Sequence, residues 1–316
     1  MGKTSIGNPA AERIGFIGAG RLATGLAWAL AQRGAAIAAV TSASGATAQR
    51  LAGRIPDCRV VATAQDVVDA VDLVFVAVPD DAISEVAARL RWRAGIAAVH
   101  GSGATEVAAL EPAARQGAEI GGFHPLQSFG DPDIAVQTLP GCAIAIEADG
   151  ALCARLEELA TSLDCRPLRL PAGSRARYHA AAHYAAGFVF ALIKEAADVW
   201  QTFGIAREDT VAALLPLLRG AAASMEHSGL VQGLPGIFSR GDVGTLRKHL
   251  ADLGAVGPDA LRLYCELGLR SIPLGLERGG LTADRAAEME ALLLDSLRAC
   301  APTAGSSRPR GSGHST

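Results

Sequence analysis

The sequence predicts an α/β domain built on a mainly parallel sheet, followed by an all-α domain. From Arg13 to about Leu170, short β-rich apolar runs alternate with segments of helical length. After about Arg175 the strand signals stop and long Ala/Leu-rich segments take over. The chain has 316 residues, and single hydrophobic cores stop growing at about 250–300 residues, so two domains are expected.

The runs of the first half are IGFIG, AIAAVT, RVVAT, DLVFVAV, IAAVHG and CAIAIE. Continuous apolar runs such as DLVFVAV suit strands covered on both faces. In the second half, helices are expected near 176–203, 207–224, 242–253, 257–277 and 282–298. Gly204, Gly220, Gly233, Gly241, Gly254 and Gly279 are expected to mark the breaks. The domain boundaries follow as a flexible N-terminus over 1–12, the α/β domain over 13–172, the helical domain over 173–300 and a disordered tail over 301–316. That tail, PTAGSSRPRGSGHST from Pro302, is rich in Gly, Ser and Pro, and His314 within it is expected to play no part.

Charged residues make up 19% of the chain and the net charge is −3, which gives no electrostatic footprint for nucleic acid. The start, MGKTSIGNPAAER, lacks the apolar run of a signal peptide or membrane anchor, and Ile6 stands where a myristoylation signal needs Ser or Thr. The most apolar long segment begins at Tyr178, but Lys194, Glu195 and Asp198 interrupt it before the about 20 apolar residues of a membrane span. Cys58, Cys142, Cys153, Cys165, Cys265 and Cys300 show no CxxC or metal-like spacing. They read as small buried hydrophobes in a reducing compartment, and a cytoplasmic location is expected.

RIGFIGAGRLATGLAWAL places Gly18 and Gly20 after a strand and at the mouth of a helix, with Ala23 as the third small residue. This is G-x-G-x-x-A in the strand, turn and helix context of a Rossmann-like dinucleotide site. Gly18 allows the tight turn, Gly20 lets backbone approach a pyrophosphate, and Ala23 permits close packing. The backbone through Arg21 and Leu22 opens the helix toward the anion. The second strand ends in AVTSASGATAQR, without the acid that would hold the ribose hydroxyls of NAD. Thr41, Ser42 and Ser44 can instead bond a 2′-phosphate, with Arg21 or Arg50 supplying charge, so NADP is expected over NAD. The missing acid also counts against S-adenosylmethionine. Those hydroxyls can equally cap the next helix. Val78 and Pro79 end the fourth strand and are expected to flank the nicotinamide ribose; Asp80 and Asp81 suit the start of the next helix.

Four stretches supply candidate reaction residues. HGSGA offers donors from Ser102 and Gly103 to a substrate carboxylate, or is simply a turn. HPLQSF supplies Gln127 and His124, the latter held extended before proline and equally readable as a core histidine bonded to a carbonyl. YHAAAHYAAG puts His179 and His183 on one helical face, with Gly187, Phe190 and Lys194 continuing the stripe. A zinc site of the HExxH kind would need Glu where Ala180 stands, so no metal is expected. An imidazole can protonate the alkoxide formed as hydride reaches a carbonyl, which makes His179 the first candidate acid and Lys194 the second. SRGDVGTLRKHL places Arg240 as a clamp for a substrate carboxylate, Asp242 as a helix cap, and His249 nearby.

GAGR, VPDDAI, VHGSGA, GGFHPLQSF, YHAAA and RGDVGTLRKHL together resemble a bacterial family that pairs a Rossmann-like domain with a helical C-terminal domain of unknown function. That family is related to pyrroline-5-carboxylate reductase, ketopantoate reductase and the 3-hydroxyisobutyrate-type dehydrogenases. The resemblance runs from about Arg13 to Leu297. It implies a C-terminal domain like that of 6-phosphogluconate dehydrogenase, a NADP-dependent oxidoreductase, a small-molecule substrate and a homodimer formed through the helical domain. Ketopantoate is the leading substrate it implies. Two departures bear on the pocket: relatives often carry Asn at the position of Gly187, and many read a Thr-Gly-Pro-type turn where this chain has GLPGIFSRGD. The expected activity is reduction of a small carboxylate-bearing ketone, such as a ketopantoate-like 2-keto acid, or of an imine. The alternative is a sensor that binds NADP(H) without turning it over.

Overall fold

In the computed structural model, which describes residues 12–300, the chain divides into two compact units meeting between Gly187 and Phe188. The expectations for the N-terminus before Glu12 and for the tail from 301, His314 included, lie outside the described residues.

The first unit is built on one eight-stranded sheet. Its strands are β1 (Arg13–Ile17), β2 (Ala36–Thr41), β3 (Arg59–Val60), β4 (Leu73–Val76), β5 (Ala97–His100), β6 (Glu119–Pro125), β7 (Ala143–Glu147) and β8 (Arg166–Arg169), in the order β3-β2-β1-β4-β5-β6-β7-β8. All pairings are parallel except β6 with β7. The helices of this unit are α1 (Arg21–Gln32), α2 (Gly45–Ala52), α3 (Ala64–Ala70), α4 (Ile83–Arg89), α5 (Glu111–Ala114), α6 (Pro132–Thr138), α7 (Gly150–Ser162) and α8 (Arg175–Ala185).

The period of two along each strand explains why both faces are apolar. Ile14, Phe16, Leu73, Phe75, Ala97 and Val99 join the core under α1 and α7, with Leu26, Leu30 and Leu156. Their neighbours Ile17, Val74, Val76 and Ala98 join the opposite core under α3 and α4, with Val67, Val68 and Ile83. Phe16 stacks on Phe75 at 5.0 Å between centroids, and Phe75 meets Phe123 edge-on at 5.7 Å.

Two strands fall outside the six apolar runs of the sequence. β6 carries Gly121 and Gly122 in EIGGFHP, and glycine is depleted in strands. β8 is RPLR, all four residues exposed at the sheet edge, where proline and charge are tolerated. His124 therefore sits within the sheet on β6, between β5 and β7.

The second unit holds α9 (Gly187–Gln201) from Phe188 onward, α10 (Arg207–Gln232), α11 (Val243–Val256), α12 (Pro258–Arg278) and α13 (Ala283–Ala299). Its core joins Leu246 and Leu250 to Cys265, Ile272, Met289 and Leu293. Gly220 and Gly254 lie inside α10 and α11 and break neither helix. Pattern alone predicts one helix near 176–203, yet the chain breaks at Ala186 (φ −122°, ψ −82°). The His183 ring lies against Gly187, where a Cβ would stand 2.1 Å from it. The stripe from His179 to Lys194 is thus interrupted, and α8 stands with the sheet rather than with the helices that follow it.

Candidate functional site

The sheet order reverses between β1 and β4, so the crevice beyond their carboxyl ends is where open α/β sheets bind ligands. The glycine turn stands there. Gly18 has φ +106°, and a Cβ on it would lie 2.2 Å from the Ala77 carbonyl oxygen; its N–H donates to the Thr41 carbonyl at 2.8 Å. Backbone crowding therefore requires glycine at this position. Gly20 differs: it is exposed, caps α1, and no neighbouring atom lies within 4 Å of where its Cβ would be. No acidic side chain enters the first turn of α1, whose leading N–H groups, through Arg21, Leu22 and Ala23, have no partner within the helix. Open space over Gly20 and free amides beneath it fit the pyrophosphate of a dinucleotide.

At the end of β2, Thr41 is buried, while Ser44 and the side chains of Arg21 and Arg50 are exposed. The Ser42 hydroxyl donates to the Ser44 carbonyl at 2.5 Å and lies 2.7 Å from the Thr47 hydroxyl, so it also secures the start of α2. No carboxylate stands among these groups, which fits a 2′-phosphate better than two ribose hydroxyls. Val78 and Pro79 follow β4 at the same crevice, and Asp80 and Asp81 open a short 3₁₀ turn before α4.

The turn after β5 joins this crevice to a histidine cluster. A Cβ on Gly101 would stand 2.9 Å from Leu22 of α1, and one on Gly103 would stand 2.5 Å from His179 Cδ2 and 2.8 Å from His124 Nε2. Between them Ser102 is buried and fully engaged. Its hydroxyl donates to Asp80 at 2.7 Å and accepts from the N–H of Thr105 at 2.9 Å, while its N–H donates to His100 Nδ1 at 3.2 Å. Of the N–H donors in this turn, those of Gly101 and Gly103 have no internal partner among the described residues.

His124 Nδ1 shares a hydrogen bond of 3.0 Å with the Tyr178 hydroxyl, and its ring meets that of His179 edge-on at 5.8 Å. Burial, then the positive charges of His179 and Arg175, push His124 down to about 4. Burial and Arg175 push His100 to about 4 as well, and burial pushes the Tyr178 phenol up to about 12. His124 is thus neutral at pH 7, and Tyr178 keeps its proton. His179 is the exposed member of the group.

Sequence reasoning missed the anchor of this cluster. Arg175, the first residue of α8, is completely buried. Its Nε donates to Glu147 at 2.5 Å and its Nη1 to the Ser102 carbonyl at 2.7 Å. Glu106 accepts the N–H groups of Gly173 and Arg175 at 3.0 and 3.1 Å, capping α8. An arginine in RARYH reads as a solvated helix start, and only the two glycines of GGF hinted that something large needed room on β6.

Gln127 binds the Thr138 carbonyl and the Ser128 N–H at 2.8 Å each, which occupies both ends of its amide. His183 is on α8 against Gly187. In the second unit, Lys194 pairs with Asp198 at 2.6 Å and Glu195 at 3.1 Å, bonds that raise its pKa and oppose proton release near neutrality. Asp242 caps α11 through the Thr245 N–H at 2.9 Å; Arg240 is exposed. His249 bonds the Tyr264 hydroxyl at 2.7 Å beside a cavity of about 690 Å³ lined also by Trp200, Phe203 and Asp252.

Fold and glycine turn together define a Rossmann-type nucleotide-binding architecture followed by a helical domain. The model of a Rossmann-like domain matches residues 3–125, and that of a domain of unknown function (DUF2520) matches residues 142–271. No curated protein matches the sequence. Among solved structures, a Bacteroides fragilis protein described as a NADP oxidoreductase is 26% identical (TM-score 0.63), over 83% of this chain and 97% of its own. A reductive aminase from Aspergillus terreus, in complex with NADPH and ethyl levulinate, is 16% identical (TM-score 0.58), over 92% and 95%. A 1-pyrroline-5-carboxylate reductase from Streptococcus pyogenes is 15% identical (TM-score 0.56), over 91% and 98%. The last two show likeness of fold.

Proposed function

We propose that this chain is a NADP-dependent oxidoreductase that reduces a small carboxylate-bearing ketone or imine. The observation that carries the reading is the continuity from the glycine turn to the histidines: Leu22 touches Gly101, and His124 and His179 close over Gly103 two residues later. NADPH, when bound, supplies a hydride to the carbon of a C=O or C=N bond. Gly18, Gly20 and the opening of α1 through Arg21, Leu22 and Ala23 hold its pyrophosphate. Thr41, Ser42 and Ser44 with Arg21 hold the 2′-phosphate, and Val78 and Pro79 border the nicotinamide ribose.

His179 gives a proton to the substrate oxygen or nitrogen, since it is the exposed imidazole of the cluster. Neutral His124, fixed by Tyr178, orients it. The Gly103 N–H offers a bond to the substrate's carboxylate. A ketopantoate-like 2-keto acid is the ketone of this class and a cyclic imine carboxylate is its nitrogen counterpart; the names of the aminase and the pyrroline-5-carboxylate reductase support the latter. Exposed Phe190 and Leu217 in the second unit support assembly with a second copy, and six unpaired cysteines fit the cytoplasm.

The test is NADPH oxidation against a panel of 2-keto acids and cyclic imine carboxylates. Wild-type protein should turn over at least one of them. His179→Gln should lose about 10²–10⁴-fold in kcat while still binding NADPH. Turnover retained in His179→Gln would remove the histidine from its role.

A further inference from the structure

We propose that Arg175 is a positioning residue that sets His179 and His124 against each other by pinning α8 to β6 and to the turn after β5. The inference rests on the reading of these histidines as the reaction site.

Arg177, two residues on, is exposed, whereas Arg175 has no exposed surface. A buried guanidinium is costly unless paired, and stability alone would be served as well by an apolar side chain of similar volume. What a guanidinium adds is direction. Nε points to Glu147 on β7 and Nη1 to the Ser102 carbonyl after β5, so one planar group ties two strands to one helix. Nη2 lies over Gly122 of β6, where a Cβ would stand only 1.7 Å away, and has no hydrogen-bond partner among the described residues.

The consequence falls on the reaction site. Tyr178 and His179 stand three and four positions after Arg175, on the same face of α8. His124 stands two residues after Gly122, so it projects from the same face of β6. The arginine therefore fixes α8 on β6 one turn before the two histidines meet. Its hold on the Ser102 carbonyl also fixes Gly103, on which both rings rest. Glu106, capping α8 from the same turn, is the second tie.

The experiment compares wild type, Arg175→Lys, Arg175→Met and Glu147→Gln by side-chain NMR of the histidines, assigned with His124→Gln and His179→Gln. Circular dichroism and NADPH titration run in parallel. Folded Arg175→Met should show displaced ring signals for both His124 and His179. His124 should titrate at higher pH, because one of the positive charges around it is gone; His179, Asp80 and Tyr178 remain beside it. Arg175→Lys should recover part of both changes. If Arg175→Met does not fold, Glu147→Gln, which keeps the guanidinium but weakens one tie, should show the same displacements in smaller degree. Ring signals and titration matching wild type in whichever of these two variants folds would overturn the proposal. NADPH titration separates the two readings. Failure of wild type to bind it would count against the proposed function, while the NMR would still decide whether Arg175 sets the rings.

Discussion

His124 and His179 meet edge-on at 5.8 Å between ring centroids, and the glycine between them, Gly103, leaves no room for even one methyl group. One ring comes from a central strand and the other from the last helix of the first unit, so the contact exists only in the folded state. Gly103→Ala should part the rings at an overpacking cost of about 1–3 kcal/mol. Turnover should fall more than NADPH affinity does, which kinetics and a binding titration on the same variant would check.

Gly18 and Gly20 should behave as opposites. Gly18→Ala forces a side chain onto a left-handed backbone and into the Ala77 carbonyl, so thermal melts should show a loss of about 1 kcal/mol or more. Gly20→Ala meets nothing in the protein and should leave the melting temperature near wild type. It should nevertheless weaken NADPH binding, because the methyl group enters the space assigned to the pyrophosphate.

Two buried histidines make stability depend on pH. His100 and His124 are held at about 4, chiefly by burial, against 6.5 for a free imidazole. Between those values the unfolded chain binds more protons than the folded one, so stability rises with pH across this window. It should be fully present above about pH 6.5 and fall toward pH 4. With both histidines contributing, the steepest slope is on the order of 2 kcal/mol per pH unit. Urea melts of wild type and His124→Gln from pH 7.5 to 4.5 would check it, the variant showing the shallower slope.

Ser102→Ala removes a hydroxyl that bonds Asp80 and the N–H of Thr105 at once. The loss should be about 1–3 kcal/mol in chemical denaturation, because Asp80 and that amide lose their partner. The double variant Ser102→Ala/Asp80→Ala should cost less than the sum of the single changes.

Much of the first unit was legible because its signals are local. The glycine turn reads from spacing alone, and Leu73, Val74, Phe75 and Val76 report a doubly covered strand by being apolar without alternation. That His179 lies on a helix was legible from its alanine-rich setting. What escaped was long-range. Gly121 and Gly122 weaken β6 as a strand signal, yet Gly122 is small because Arg175 crosses it, and that arginine arrives from beyond the last strand. Asp80 read as a helix opener, which it is, while its bond to Ser102 depends on β4 and β5 lying side by side. The break at Ala186 was hidden because alanine carries no stop signal and the crowding of His183 on Gly187 is a packing effect.

The proposed NADP site opens onto the histidines. Its most direct test titrates the purified protein with NADPH and NADH separately, following nicotinamide fluorescence. Binding of NADPH at least about tenfold tighter than NADH, or about 1.4 kcal/mol, is the predicted result. Equal affinity would contradict the assignment of the β2 hydroxyls, and absence of binding to either would contradict the site itself.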